Sequence, residues 1–175
     1  MPVNISPLLS EQLLPIAGIS LGIAEAGIKR VGRKDLLTIV LDENVNVAGV
    51  FTQNRFCAAP VIVAKANLAN TSSIRALIIN TGNANAGTGE QGIADARDTC
   101  QQLAKLLDCS AEQILPFSTG VIMEPLPVEK IVANLPKALA DVKSDQWFKA
   151  AQAIMTTDIV PKGVSRQTEI QGRTI

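Results

Sequence analysis

Residues 75–107 have the sequence RALIINTGNANAGTGEQGIADARDTCQQLAKLL, which indicates the fold class. Its first six residues form a short apolar run, which is typical of a strand covered on both faces. From Ile93 to Leu107, apolar residues recur at intervals of three and four, which predicts an amphipathic helix packed on a sheet. A strand followed by a helix of this kind indicates an α/β fold in which helices cover a sheet.

Further strands are predicted on the N-terminal side of this unit. Residues 36–41 form a β-branched apolar run, and residues 45–51 alternate after the turn cluster Asp42-Glu43-Asn44. We therefore expect these two segments to form a hairpin. Residues 60–64, Pro-Val-Ile-Val-Ala, supply another short apolar run, and together these strands outline one sheet.

Helices are predicted to dominate the C-terminal part. Residues 128–142 have a helical pattern, which Pro136 should kink or restart. Another helix is expected to begin after Ser144, which is a suitable N-cap residue. Its predicted buried face consists of Trp147, Phe148, Ala151, Ile154 and Met155.

The tail, residues 167–175, alternates like a hairpin around Gln171-Gly172, and the sequence stops as the second strand begins. An unpaired strand at the edge of a sheet tends to pair with another chain. The pattern therefore predicts a processed or incomplete chain whose sheet is completed by something outside residues 1–175.

The composition excludes several classes of function. The chain has 175 residues, of which 47% are apolar and 18% are charged, so it can bury a substantial core. Sixteen basic residues balance sixteen acidic ones, which argues against nucleic acid or an anionic membrane as a partner. Histidine is absent, which excludes a Ser-His or Cys-His nucleophile pair and a His-ligated metal site. We expect no metal.

Three cysteines, Cys57, Cys100 and Cys109, cannot all pair with one another and lack the C-x-x-C spacing of zinc or redox sites. We interpret them as small hydrophobic residues in a reduced, cytoplasmic protein. No apolar run approaches the ~18 residues that cross a bilayer, and the N-terminus lacks the basic segment of a signal peptide. Membrane association is therefore not expected.

The loop at residues 80–92 contains Gly87, Gly89 and Gly92, which match the G-x-G-x-x-G fingerprint of dinucleotide sites between a strand and a helix. The loop is long for a tight strand-to-helix turn, and no acidic residue is evident at the end of a following strand. The alternative interpretation is that its glycines and asparagines supply positive-φ turns and a helix start.

Two further segments could carry chemistry. Residues 116–127 run from a strand end into a small-residue turn, whose N–H groups and threonine hydroxyl could stabilise an oxyanion or could form only a Ser/Thr turn. Residues 155–162 place consecutive hydroxyls and a carboxylate after a helix. These groups could bind the amine and carboxylate of a small polar substrate, or could form a polar helix exit.

At these three segments the chain resembles the glutamate N-acetyltransferase family, also called ornithine acetyltransferase, of the arginine pathway. The resemblance covers most of residues 15–172 in order. It includes N-terminal blocks with the residues Gly27-Ile28-Lys29, Gly32-Arg33-Lys34-Asp35, Ala48-Gly49-Val50-Phe51-Thr52 with Asn54, and Ala58-Ala59-Pro60-Val61.

The resemblance implies an α/β sandwich in which helices cover the sheets. Residues 1–175 would form a single domain, the α chain of a precursor that cleaves itself before a threonine, and the β chain would complete the fold. The implied assembly is α2β2. The nucleophilic threonine and a substrate-binding lysine would lie on the sequence that follows residue 175.

The implied reaction is ping-pong transfer of acetyl from N2-acetylornithine to glutamate, and some members also accept acetyl-CoA. No cofactor is implied. By resemblance, Thr119 and Gly120 form the oxyanion hole and Thr156 binds substrate, while Met123 stands where the family's turn has glycine. The threonine's own α-amino group, with an ordinary pKa of about 7.7–8.0, can act as the base, so no imidazole is needed.

Three other classes of function remain open from the sequence. The chain could belong to a related self-cleaving aminopeptidase or hydrolase, in which water accepts the acyl group. It could be a nucleotide-binding oxidoreductase that uses residues 87–92, or a purely structural subunit.

Overall fold

A computed structural model describes residues 7–43, 45–71 and 73–174. Two short 3-10 turns, Ser10–Gln12 and Ala111–Gln113, accompany six strands and four α-helices in the described part of the chain. In chain order, these elements are β1 (Ile19–Ala24), β2 (Leu36–Leu41), α1 (Ala59–Asn70), β3 (Ala76–Asn83), α2 (Gly89–Leu106), β4 (Ile114–Val121), α3 (Val128–Ala140), α4 (Trp147–Ala153), β5 (Glu169–Ile170) and β6 (Arg173–Thr174).

The first four strands form one sheet in the order β1-β2-β3-β4. β1 and β2 are antiparallel, as are β2 and β3, whereas β3 and β4 are parallel and are joined through α2. The predicted α/β class is confirmed, as are the predicted strands at residues 36–41 and 75–80.

The helices α2 and α3 cover one face of this sheet. Their buried side chains, including Leu103 and Leu135, pack with strand residues such as Ile78 and Ile114 in the largest core cluster. Gly22 lets α3 approach β1, because a Cβ there would lie 2.1 Å from the Ala138 carbonyl oxygen. The predicted helix at residues 93–107 is confirmed. The predicted helix at residues 128–142 ends at Ala140 and does not restart at Pro136, which lies within a continuous α3.

Two predicted strands are wrong. Residues 60–64 lie in α1, where Pro60 occupies the first turn, a position at which its missing N–H costs nothing. Residues 45–51 are irregular, and Val45, Val47 and Phe51 pack beside the sheet instead. The partner of β2 is β1, so the predicted hairpin does not form as proposed. Asn44, in the predicted turn, lies outside the described residues.

The short helix α4 lies on the other face of the sheet. Its N-cap is Gln146 rather than Ser144, and its buried residues are Ala150 and Ala153. The predicted buried face is wrong in its residues, because Ile154 is 47% exposed and the other four are only half-buried: Trp147, Phe148, Ala151 and Met155. The helix ends at Ala153, so Ile154 and Met155 lie beyond it and do not share its buried stripe.

The predicted tail hairpin is present as β5 and β6, with Gln171 and Gly172 at φ of 52° and 75° in the turn between them. Both turn residues have the left-handed conformation that two-residue hairpin loops favour. Ile175, in the predicted second strand, lies outside the described residues.

None of the helices in the described ranges is long and apolar enough to span a bilayer.

Candidate active site

The candidate site lies at the carboxyl ends of β3 and β4. These parallel strands pair Thr81 with Thr119 and Gly82 with Gly120, and the register shifts after Gly82. The segment predicted as a small-residue turn, residues 118–120, is therefore part of β4. The turn prediction is wrong here because pairing with β3 extends the ladder through these small residues.

Only glycine fits at position 120. Its φ is 139°, and a Cβ there would lie 2.4 Å from the Gly82 carbonyl carbon and 2.6 Å from the Asn83 nitrogen. No real side chain approaches backbone so closely. The absence of a side chain at Gly120 thus lets the two strand ends approach each other next to Thr119.

A cavity of about 570 Å³ opens at these strand ends. Thr119, Gly120 and Thr156 all line it, so the structure brings together the three residues proposed from the sequence. The other lining residues are Lys29, Arg30, Arg33, Asp35, Thr81, Gly82, Val121 and Thr157.

Thr156 lies in the loop after α4, beyond the C-cap residue Ile154. The Arg33 guanidinium donates hydrogen bonds to the carbonyl oxygens of Met155 and Thr156, the latter at 3.5 Å. This contact joins the loop to the connection between β1 and β2. Half-buried Thr156 is thereby held at the cavity wall.

The β1–β2 connection also belongs to the site, although its residues were not predicted to line it. The Asp35 carboxylate, 2% exposed, accepts hydrogen bonds from the backbone N–H groups of Ala26 at 2.6 Å and Ile28 at 2.7 Å. Because β2 is antiparallel to β3, this connection lies at the carboxyl end of β3. The polar block at residues 27–35 was the signal that could have revealed it.

This connection makes the cavity wall electropositive. Lys29, Arg30 and Arg33 supply three cations, and Asp35 is the one carboxylate in the lining. Lys29 pairs with Glu124 at 2.6 Å, but both side chains are 45% exposed, so that pair contributes little energy. A ligand that carries a carboxylate complements such a wall.

Asp158, in the predicted polar segment, does not line the cavity. It pairs with Lys162, and the hydrogen bond from that ammonium group lowers the pKa of the Asp158 carboxyl group. Of the two residues that follow Thr156, only Thr157 reaches the wall.

The glycine-rich loop uses its polar groups internally. Asn85 is fully buried, and its side-chain amide donates to the Gly92 carbonyl oxygen at 2.8 Å and accepts from the Thr88 hydroxyl at 2.7 Å. A Cβ at Gly92 would lie 1.9 Å from the Thr88 hydroxyl. The loop interior is thus filled by its own side chains, which favours the structural interpretation over a dinucleotide site.

Met123 has a φ of 60°, in the left-handed region that favours glycine. Its N–H donates to the Ala86 carbonyl oxygen at 2.7 Å, which ties the segment after β4 to the loop after β3. This hydrogen bond fixes the backbone after β4 in a left-handed conformation, although the residue there is not glycine.

Within residues 7–43, 45–71 and 73–174, no group of three His, Cys, Asp or Glu side chains could hold a metal ion.

Comparison with known proteins assigns the chain. The ArgJ family model matches residues 20–175. The chain belongs to the ArgJ family. An ArgJ relative named "arginine biosynthesis bifunctional protein ArgJ", from Colwellia psychrerythraea, is 52% identical over 185 residues, which cover 100% of this chain and 44% of that protein. The chain thus spans less than half the length of this curated relative.

Two solved structures of ArgJ relatives share the fold. One is ornithine acetyltransferase from Mycobacterium tuberculosis in complex with ornithine, with 36% identity, a TM-score of 0.78, and coverage of 83% of this chain and 79% of that one. The other is the arginine biosynthesis bifunctional protein argJ from Bacillus halodurans, with 33% identity, a TM-score of 0.82, and coverage of 91% and 83%. The resemblance stated from the sequence motifs is confirmed at the level of family and fold.

Proposed function

We propose that this chain is the α chain of a glutamate N-acetyltransferase, which moves an acetyl group from N2-acetylornithine to glutamate. The proposal rests on the observation that Thr119, Gly120 and Thr156 line one cavity in a chain that belongs to the ArgJ family. The names of the relatives support it, since one solved relative is an ornithine acetyltransferase with ornithine bound.

The chemistry of the wall fits amino-acid substrates. Ornithine and glutamate both carry an α-carboxylate, which Arg30 and Arg33 can attract. Both also carry an amine, which can donate a hydrogen bond to a hydroxyl oxygen such as that of Thr156. Polar groups buried in a site need hydrogen-bond partners. The site therefore rejects ligands that leave these groups unpaired.

In the proposed reaction, a threonine hydroxyl at the N-terminus of the β chain attacks the acetyl carbonyl carbon, and its α-amino group takes the proton. The carbonyl oxygen becomes negative, and the Thr119 hydroxyl and the Gly120 N–H donate hydrogen bonds to it. Ornithine then leaves with a proton on its amine. The glutamate amine attacks the carbonyl carbon of the resulting acetyl-threonine ester and gives a proton to the threonine α-amino group, while the same two donors stabilise the second oxyanion. The ester C–O bond then breaks, the threonine oxygen takes the proton back, and N-acetylglutamate is released.

The β chain and an α2β2 assembly belong to this proposal. The chain covers 44% of the curated relative but 79% and 83% of the two solved chains, so those chains are close to this one in length. The uncovered face of the sheet also supports a partner, since Phe117 is 40% exposed and Ile154 is 47% exposed there. Acetyl-CoA as an alternative donor, and the absence of any cofactor, are further parts of the proposal.

Steady-state kinetics on the complete enzyme, with both chains, tests the proposal. Wild type should transfer labelled acetyl from N2-acetylornithine to glutamate. Thr119→Ala should lower kcat by roughly 10²–10³ with little change in KM, because an oxyanion donor acts mainly in the transition state.

The matched control is Thr38→Val, a buried threonine on the face of the sheet that α2 and α3 cover, which should keep the wild-type kcat. Release of acetate without transfer to glutamate would instead identify a hydrolase. A rise in KM at constant kcat in Thr119→Ala would contradict the oxyanion role.

A further inference from the structure

Thr81 carries a buried hydroxyl that has no hydrogen-bond partner. The residue is 1% exposed, and its Oγ1 atom is one of three such unpartnered side-chain atoms among the described residues. Of the three residues that carry these atoms, Thr81 is the one that lines the candidate active site. Buried polar groups are nearly always paired, and leaving one unpaired costs about 1–3 kcal/mol. Such a hydroxyl therefore needs an explanation.

The backbone of Thr81 is fixed on both sides. Its N–H donates to the Asp35 carbonyl oxygen at 2.9 Å, and on the other side β3 pairs with β4 so that Thr81 stands opposite Thr119. Side chains of directly paired residues point to the same face of a sheet, with Cβ atoms ~5 Å apart. Rotation about the Cα–Cβ bonds is therefore the side-chain movement that would bring the two hydroxyl groups together.

Neighbouring positions show what a purely structural pair looks like here. One residue earlier, and on the opposite face, the Ser118 hydroxyl donates to the Asn80 side-chain oxygen at 2.6 Å. On β2, the buried Thr38 hydroxyl donates to the Gly22 carbonyl oxygen at 3.3 Å. The sheet satisfies these hydroxyls internally, whereas the hydroxyl of Thr81, beside the candidate oxyanion element, is left without a partner.

We propose that Thr81 is a positioning residue whose hydroxyl donates a hydrogen bond to Thr119 Oγ1 when the acyl substrate fills the cavity. This inference rests on the proposed acetyltransferase function. A hydroxyl oxygen that accepts a hydrogen bond donates a stronger one, since neighbouring hydrogen bonds polarise each other. Thr81 thereby orients the Thr119 hydroxyl toward the developing oxyanion, and its own proton stays in place throughout.

The test is Thr81→Val in the complete enzyme, because valine keeps the shape and removes the hydroxyl. kcat should fall roughly 3- to 10-fold, the equivalent of one net hydrogen bond, at nearly constant KM. The melting temperature should stay the same or rise, since the variant removes an unpaired buried group. Thr38→Val is the control with the opposite expectation: a lower melting temperature and the wild-type kcat.

Two further variants separate positioning from packing. Thr81→Ser keeps the hydroxyl and should restore most of kcat, even if the lost methyl lowers stability. In the Thr119→Ala background, Thr81→Val should have no further effect on kcat, because the residue acts through Thr119. Should Thr81→Val fail to assemble, Thr81→Ala carries the same kinetic expectation, because the smaller side chain cannot clash.

The wild-type assay distinguishes the two levels of the proposal. A wild-type enzyme that does not transfer acetyl to glutamate overturns the proposed function and, with it, the role of Thr81. An active wild type with unchanged kcat in Thr81→Val, or with additive losses in the double variant, overturns only the role of Thr81.

Discussion

The two faces of the four-stranded sheet are covered to different extents. On the face covered by α2 and α3, Ala76, Ile78 and Asn80 of β3 are buried, and Leu103 and Leu135 fill the space above the sheet with no measurable exposure.

On the other face, the alternate residues of β3, Leu77 and Ile79, are only half-buried. An apolar cavity of about 520 Å³ lies between these two residues and α4. Thr119 lines both this apolar cavity and the cavity of the candidate active site. The covered face thus provides stability, while the open face leaves room for ligand and partner. Substitutions on the two faces should therefore separate folding from catalysis.

The largest effect is expected on the covered face, from Leu103→Ala. Deleting a fully buried leucine leaves a cavity and should cost about 2–5 kcal/mol of unfolding free energy. Leu106→Ala, on the same helix but 48% exposed, is the matched control and should cost less than about 1 kcal/mol. Urea unfolding midpoints of the purified enzyme measure both, and equal losses would contradict the described packing of α2.

Gly120→Ala, at the open face, should instead lower the catalytic rate. The added methyl group must push β3 and β4 apart where they meet, which displaces the Thr119 hydroxyl, and a displacement of about 1 Å at a reacting centre can cost roughly 10²-fold in rate. The core under α2 and α3 should remain folded. We expect a kcat loss of that order with near-native circular dichroism; wild-type kcat would show that the strand ends tolerate a side chain.

Thr156→Val probes the loop that Arg33 holds. The backbone contacts of Thr156 survive the substitution, so the melting temperature should hardly change. Loss of the hydroxyl should cost about 1–3 kcal/mol in kcat/KM for N2-acetylornithine, the penalty for leaving a buried partner unpaired. A lower melting temperature with unchanged kinetics would remove Thr156 from the site.

The smallest effect is a pH dependence on the covered face. Burial raises the pKa of the Cys100 thiol to about 12, from an ordinary value of 9.0. Because the folded state holds this proton more tightly than the unfolded state, the contribution to stability is complete below pH 9 and is lost as the pH rises toward 12.

In Cys100→Ala, the melting temperature should therefore decrease less at alkaline pH than it does in wild type. The corresponding difference in unfolding free energy grows above pH 9 by no more than about 1.4 kcal/mol per pH unit. Melting curves at pH 7.5 and pH 10 measure this. An equal alkaline decrease in wild type and variant would contradict the burial of the thiol.

The sequence predictions succeeded where local pattern and tertiary packing agree. The amphipathic period of α2 and the β-branched run of β2 each determine an element that the core then uses. They failed where one local signal competes with another. Residues 60–64 have strand-like composition, yet Pro60 and the helix-forming residues that follow place them in α1, where Asn67 donates to the Ile114 carbonyl oxygen at 2.8 Å.

The strand β1 was not predicted, because Ser20 and Gly22 interrupt its apolar residues. It exists because β2 needs a partner and because the missing side chain at Gly22 accommodates α3. Both reasons involve residues far away in the sequence, so no local window contains them.

Composition and periodicity were enough to predict the α/β class and to show that these 175 residues contain no histidine. The motifs were enough to predict the family and the candidate residues Thr119, Gly120 and Thr156. The folded arrangement was needed to show that these residues share one cavity, that the β1–β2 connection makes the cavity wall positive, and that the Thr81 hydroxyl is unpaired beside Thr119. The physical reason is that composition and periodicity are local properties of the chain. A site, by contrast, is made by strand register and loop closure, which bring distant residues together.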